Sequence, residues 1–244
     1  MKQAGLDRGA LRQQTLPFGR RSYGFAEFVA EDRTVVDWLQ GVGRADRHHG
    51  LLVGASGVGK SHLMLATCGQ AHAMGLGVAY IPLAERSALA PQMLHDLDAH
   101  DLVCFDDVGA IAGERAWEQA VFACYNACDD AGRLMLFAAG NTASALPLEL
   151  ADLQSRLAAA VVLRVNALDD HGLTEAMMRR ADAGGFRLVP AVAEFLIRRF
   201  PRDMHVLAAT VDRIASLSLA EQRRVTVPAV SGWLTDGLLG TAYD

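Results

Sequence analysis

Apolar residues fall into short runs separated by longer stretches with helical spacing. Gly50-Leu51-Leu52-Val53, Val78-Ala79-Tyr80-Ile81, Leu102-Val103-Cys104-Phe105, residues 134–138 and residues 161–165 are strand-sized. Between them, residues 33–43 carry Val35, Val36, Trp38 and Leu39 at helical spacing. Further helical patterns run from a glycine-rich turn after Val53 to about Met74, over 91–97, and over 114–131. Short apolar strands alternating with helices predict a parallel sheet covered on both faces. After about Ala167 the pattern changes, and 174–183, 190–200 and 203–219 all read as helices, with another starting near Pro228. Residues 1–19 are polar and without sustained periodicity and read as a flexible tail. The predicted organisation is therefore a tail (1–19), an α/β core (20–167) and a small helical domain (168–244), with no internal repeat.

Composition narrows the class. About half of the 244 residues are apolar (51%), enough to bury the core of one or two domains. No apolar run approaches the roughly 20 residues of a membrane span, and the N-terminus lacks an apolar export signal, so the expected location is cytoplasmic. Cys68, Cys104, Cys124 and Cys128 lie inside predicted helices and strands without zinc-finger spacing. Cys124 and Cys128 share a helical face, but buried reduced thiols fit this pattern better than a metal site. The net charge is −5, and the arginines are scattered among acids. Strong direct binding to DNA, which needs a clustered basic surface, is therefore not expected.

The glycine-rich turn carries the most specific chemistry. Gly54, Ala55, Ser56, Gly57, Val58, Gly59, Lys60 and Ser61 fit GxxxxGK[ST] between a strand and a helix, with His62 next. Such glycines let backbone N–H groups turn inward around phosphates at a helix N-terminus that favours anions. Lys60 would reach the β- and γ-phosphates and Ser61 would hold Mg²⁺. The strand at 102–105 then delivers Asp106 to the metal and Asp107 to an attacking water. Asn141, after the next strand, would stand beside the γ-phosphate, or simply occupy a turn after Gly140. Arg156, in Leu153-Gln154-Ser155-Arg156-Leu157, reads equally as a solvated helix arginine or as a finger offered to a neighbouring subunit's nucleotide. Arg202, in Phe200-Pro201-Arg202-Asp203-Met204, could fold back onto the phosphates from the helical domain, although an exposed helix start is the commoner reading.

The order of these pieces resembles the AAA+ ATPase module of the DnaA/Hda family, and within it the regulatory branch. The stretches that carry the likeness are GASGVGKSHLMLA, LVCFDDVGAIAGERAWEQAVFACYN, LQSRLAAA, PRDMHVLAATVDRI and AEQRRVTVPAV, and it runs from about Tyr23 almost to the C-terminus. The resemblance implies an AAA+ P-loop core with a parallel sheet and a C-terminal helical lid, binding ADP or ATP with Mg²⁺. It makes residues 54–61 and Asp106-Asp107 the Walker motifs, Asn141 the sensor 1 residue, Arg156 the arginine finger and Arg202 the sensor 2 residue. Phe28 and Val29 match the segment lining the adenine pocket. Two departures from DnaA itself are expected to matter: the sequence stops soon after Trp233-Leu234, where DnaA continues into a helix-turn-helix domain, and the segment between Ile81 and Leu102 is short.

The tail adds a partner. Gln13-Gln14-Thr15-Leu16-Pro17-Phe18 resembles a hexapeptide clamp-binding motif, in which Gln13 would bond the rim of an apolar pocket filled by Leu16, Pro17 and Phe18. The family resemblance thus implies a negative regulator of replication initiation. It would bind the DNA polymerase III β sliding clamp and stimulate hydrolysis of DnaA-bound ATP through Arg156, with Asp107 leaving weak intrinsic ATPase activity open. A homodimer that hides Arg156 is compatible with this reading. The alternative is a helicase-loader-type AAA+ ATPase acting on single-stranded DNA.

Overall fold

The computed structural model describes residues 23–30, 32–43 and 48–239. The hexapeptide with Gln13, Leu16, Pro17 and Phe18 lies outside the described residues. Five parallel strands form one sheet: β1 (Gly50–Val53), β2 (Val78–Pro82), β3 (Leu102–Asp106), β4 (Leu134–Ala139) and β5 (Val161–Arg164), in the order β2-β3-β4-β1-β5. Every residue of β1 and β3 is buried, as central strands covered on both faces require. The flanking β2 and β5 bury only part of their residues, because each has one unpaired edge.

The two faces sort by strand alternation. Leu51, Val53, Val103, Phe105, Met135 and Phe137 point to one face, where α3 (Arg115–Asp130) and α4 (Ala151–Ala158) cover them. Phe105 and Phe137 stack there at 5.7 Å, and Tyr125 of α3 stacks on Phe137 at 6.0 Å. Leu52, Leu102, Cys104, Leu136 and Ala138 point to the other face, under α1 (Thr34–Gln40) and α2 (Lys60–Ala73). All four cysteines are buried and free of disulfides. A separate apolar cluster built on Leu173, Met177, Leu196, Leu207, Val211 and Trp233 unites α5 (Asp170–Ala183), α6 (Pro190–Ile197), α7 (Met204–Ala220) and α8 (Val227–Thr235). The fold is thus the expected parallel α/β core with a helical lid.

Three boundaries differ from the sequence expectation. The predicted helix over 91–97 is a pair of 3-10 turns, Pro91–Leu94 and Leu97–Ala99. Between them Asp96 adopts a left-handed φ of 61°, which no continuous helix tolerates. The helix predicted over 174–183 begins earlier, at Asp170, because the Asp169 carboxylate accepts the Gly172 N–H (2.7 Å) and caps it. The helix predicted over 190–200 ends at Ile197. Among the described residues, no helix is long and apolar enough to cross a membrane.

Candidate functional site

The loop after β1 is shaped by its glycines. Gly54 N–H donates to the Ala139 carbonyl (3.3 Å), and a Cβ at Gly54 would fall 2.3 Å from the Val165 carbonyl oxygen, so no other residue fits. Gly57 (φ 75°) and Gly59 (φ 98°) take the left-handed conformation that lets the chain turn its N–H groups inward before α2 begins at Lys60. The Lys60 ammonium donates to the carbonyls of Gly54 (2.8 Å) and Ala55 (2.7 Å), spanning its own loop. Burial pushes its pKa down, against the pull of Asp106, Asp107 and Asp203. An ammonium held by two loop carbonyls can exchange them for phosphate oxygens without moving the backbone.

The acids stand at the end of β3. Asp106 is buried, and one of its oxygens accepts the Tyr80 hydroxyl (2.7 Å) from β2. Burial first, and the neighbouring Asp106 second, push the Tyr80 hydroxyl far above its ordinary pKa, so it remains a donor and fixes the carboxylate. Asp107 is exposed, in the left-handed region at φ 56°. Both acids, Ser61 and Lys60 line a cavity of about 720 Å³. Among the described residues no group of three or more His, Cys, Asp or Glu side chains could hold a metal. Ser61 and Asp106 supply hard oxygen donors of the kind Mg²⁺ takes beside phosphate oxygens, so the residues present fit that ion.

The cavity walls come from three parts of the chain. Phe28 and Val29 line it. The Phe28 ring lies so close to Gly59 that a Cβ there would sit 2.8 Å from it. His62 joins this wall, with its ring 5.8 Å from Phe28 and 5.5 Å from Tyr23. Its Nε2 lies 3.0 Å from the Gly24 carbonyl, which can only accept, so Nε2 carries the proton; burial lowers the imidazole pKa and keeps it neutral. The lid closes the third side through α5 and α7. Arg179 donates to the carbonyls of Ala26 and Phe28 (both 3.1 Å), and Arg180 forks onto Asp212 (3.1 Å to each oxygen) and reaches Glu27 at 3.5 Å.

Gly54 and Ala55 do not line the cavity but hold Lys60 through their carbonyls, and three further predicted residues stand apart from it. Arg202 is held outward by a bidentate pair with Asp170 at the start of α5 (2.8 and 3.0 Å), both side chains 62% exposed. The lid cation that lines the cavity is instead Arg180. Asn141 is exposed and only its neighbour Gly140 lines the cavity. Arg156 lies on α4, 46% exposed, over the Tyr125 ring (5.5 Å) and 3.7 Å from Asp129. Tyr80, Arg179, Arg180 and the Gly57–Asp203 contact escaped the sequence reading. A tyrosine two residues before a strand end was a visible signal for Tyr80; the lid residues carried none.

Comparison with known proteins places this geometry in the AAA+ fold. Domain III of the Thermotoga maritima replication initiation protein DnaA superposes with a TM-score of 0.73 at 17% identity, over 88% of this chain and 96% of that one. AMPPCP-bound DnaA from Aquifex aeolicus gives 0.60 at 19% identity, over 75% of this chain and 62% of that one. The Thermotoga maritima RuvB Holliday junction branch migration motor gives 0.64 at 17% identity, over 87% and 71%. The class is therefore an AAA+ module with a helical lid. Residues 169–234 match the family described as the Hda lid domain, which bears out the resemblance to the DnaA/Hda family.

Proposed function

We propose that this chain is a nucleotide-binding AAA+ regulator that acts on DnaA, switching off replication initiation after the sliding clamp has been loaded. The observation that carries the reading is the Hda-type lid over 169–234 above a complete phosphate loop. ADP or ATP would lie in the cavity, its base against Phe28 and Val29 and its phosphates on the N–H groups of Gly57, Val58, Gly59, Lys60 and Ser61. Mg²⁺ would be held by Ser61 and Asp106 and would neutralise phosphate charge there. Its relative, DnaA of Aquifex aeolicus, is known bound to AMPPCP, which supports an adenine nucleotide here.

Arg156 supports action in trans. It is half exposed on α4 and does not line its own chain's cavity, so it would exchange its loose contacts with Asp129 and Tyr125 for a neighbouring site. There it would stabilise charge developing on the γ-phosphate of DnaA's ATP, a role worth roughly 10³–10⁵ in rate. The tail would dock on the clamp through Leu16 and Phe18, each contributing about 1.5–3 kcal/mol by burial. Asp107 would leave weak intrinsic hydrolysis.

The test is ATP hydrolysis by purified DnaA, with and without this protein, in the presence of DNA-loaded clamp. Clamp-dependent acceleration that Arg156→Ala removes, while nucleotide and clamp binding persist, is the expected result. Absence of acceleration, together with ATP turnover by this protein alone on single-stranded DNA, would instead favour a helicase loader.

A further inference from the structure

The lid grips the segment that carries Phe28 and Val29 by its backbone. Arg179 lies on α5 and does not itself line the cavity. Its Nη1 donates to the carbonyls of both Ala26 and Phe28 (3.1 Å each). Its Nη2 donates to the Glu175 carboxylate one turn back along α5, which aims the guanidinium at the segment. Within the segment the backbone bonds are long: Glu27 N–H donates to the Gly24 carbonyl (3.2 Å) and Phe28 N–H to that of Phe25 (3.3 Å). From the core, the Phe28 ring packs on Gly59 and beside the His62 ring. The lid meets the phosphate loop separately, through α7, where Met204 N–H donates to the Gly57 carbonyl (3.1 Å) and a Cβ at Gly57 would fall 2.2 Å from the Asp203 carboxylate carbon.

We propose that Arg179 is a positioning residue that holds Phe28 and Val29 in place for the base, so that this part of the site is complete only while α5 lies against the segment. The inference rests on the nucleotide-binding reading above and adds what assembles the base pocket. Both Arg179 bonds exist before any ligand arrives, so they strengthen binding only by keeping the segment in its competent conformation. A hydrogen bond to a charged group shifts an equilibrium about tenfold or more. Loss of both therefore takes the segment from mostly in place to mostly out of place. Apparent affinity falls with the competent fraction, and a segment in place about one-tenth of the time binds ADP about tenfold more weakly. The phosphate loop is shaped by its own glycines and by Lys60, so a ligand held through phosphates alone should not register the loss.

The experiment compares the full chain with Arg179→Met, which keeps the aliphatic stem and removes the donors, and with Arg179→Lys, which keeps a cation on a different stem. Calorimetric titration with ADP should show binding weakened about tenfold in Arg179→Met and partly recovered in Arg179→Lys. Inorganic pyrophosphate, which has phosphates and no base, should bind the wild type and both variants alike. Hydrogen exchange of the nucleotide-free proteins needs no ligand: the amides of residues 24–30 should exchange faster in Arg179→Met, with those of 54–61 unchanged. An ADP loss below about threefold, the range of an ordinary surface substitution, overturns the proposal. Equal losses for ADP and pyrophosphate, or unchanged exchange over 24–30, overturn it as well. A wild-type protein that binds neither ADP nor pyrophosphate refutes the nucleotide-site reading instead, and the exchange measurement still decides whether Arg179 holds the segment.

Discussion

Glu118 is a fully buried carboxylate on α3, facing the segment that leads into α4 and Arg156. Oε1 accepts the N–H groups of Gly113 (2.8 Å) and Glu149 (3.2 Å), and Oε2 accepts that of Leu150 (2.7 Å). Leu150 is the residue immediately before α4, so this single side chain sets where α4 starts. Glu118→Gln keeps the shape but leaves one acceptor oxygen for three donors. The amide NH₂ must then face either Leu150 N–H or the Gly113 and Glu149 pair, donor against donor. Hydrogen bonds to a charged acceptor contribute about 1.5–3 kcal/mol each, and a buried donor left unpaired costs about 1–3 kcal/mol. One bond lost and the others reduced to neutral strength predicts a destabilisation of about 2–4 kcal/mol. Urea unfolding followed by far-UV circular dichroism measures it as a lowered midpoint at unchanged slope. A second readout is specific to the site: nucleotide affinity should hold while the stimulation of DnaA proposed for Arg156 falls, because α4 loses its anchor and the cavity does not. A midpoint shift worth less than about 0.5 kcal/mol, the range of an ordinary surface substitution, would refute the assignment of Glu118 as that anchor.

Three further outcomes follow from contacts around the site. Tyr80→Phe removes the hydroxyl that orients Asp106; if Asp106 holds Mg²⁺ as proposed, nucleotide affinity with Mg²⁺ should fall about 10-fold while affinity in EDTA is unchanged, since hydrogen-bond partners that hold metal ligands in place carry effects of about that size. Gly57→Ala forces a left-handed φ of 75° on a side chain and drives its Cβ into Asp203; the backbone strain alone is about 1–2 kcal/mol, and titration calorimetry should show ADP binding weakened more than tenfold. His49 supplies a pH dependence: its Nδ1 accepts the Met135 N–H (3.2 Å), and burial lowers its pKa, outweighing the attraction of Asp129. The unfolded chain then binds the extra proton first, so this contribution to stability is complete above the ordinary histidine value of about 6.5 and is lost as pH falls from there toward the depressed folded value. His49→Asn retains an acceptor for Met135 and cannot titrate, so its urea midpoint should fall less between pH 7.5 and 5 than that of the wild type (both pH values about the limits set by the histidine range); equal slopes would place the titration elsewhere.

What could be read from the sequence follows the reach of each interaction. The strands and the phosphate loop were legible because their determinants are local. Four-residue apolar runs fit buried parallel strands, and Gly54, Gly57 and Gly59 sit where a Cβ would collide or φ is positive. Asp106 was legible for the same reason, as an acid at the end of an apolar run. The start of α5 was missed because Asp169, Asp170 and Gly172 look like loop residues until Asp169 closes its cap on Gly172 N–H.

The lid residues depend on partners far away in the chain. Arg202 is separated from Asp170 by 32 residues, and Arg180 from Asp212 by the same interval. No local pattern says which arginine turns inward. That choice depends on which carboxylate meets each guanidinium once α5 and α7 have packed through Leu173, Met177, Leu207 and Val211. Asp170, at the exposed end of α5, captures Arg202; Asp212 and Glu27, at the inner side, hold Arg180 against the cavity. The motif PRDM therefore marks the element that meets the phosphate loop, while helix packing decides that Asp203 and not Arg202 makes the contact.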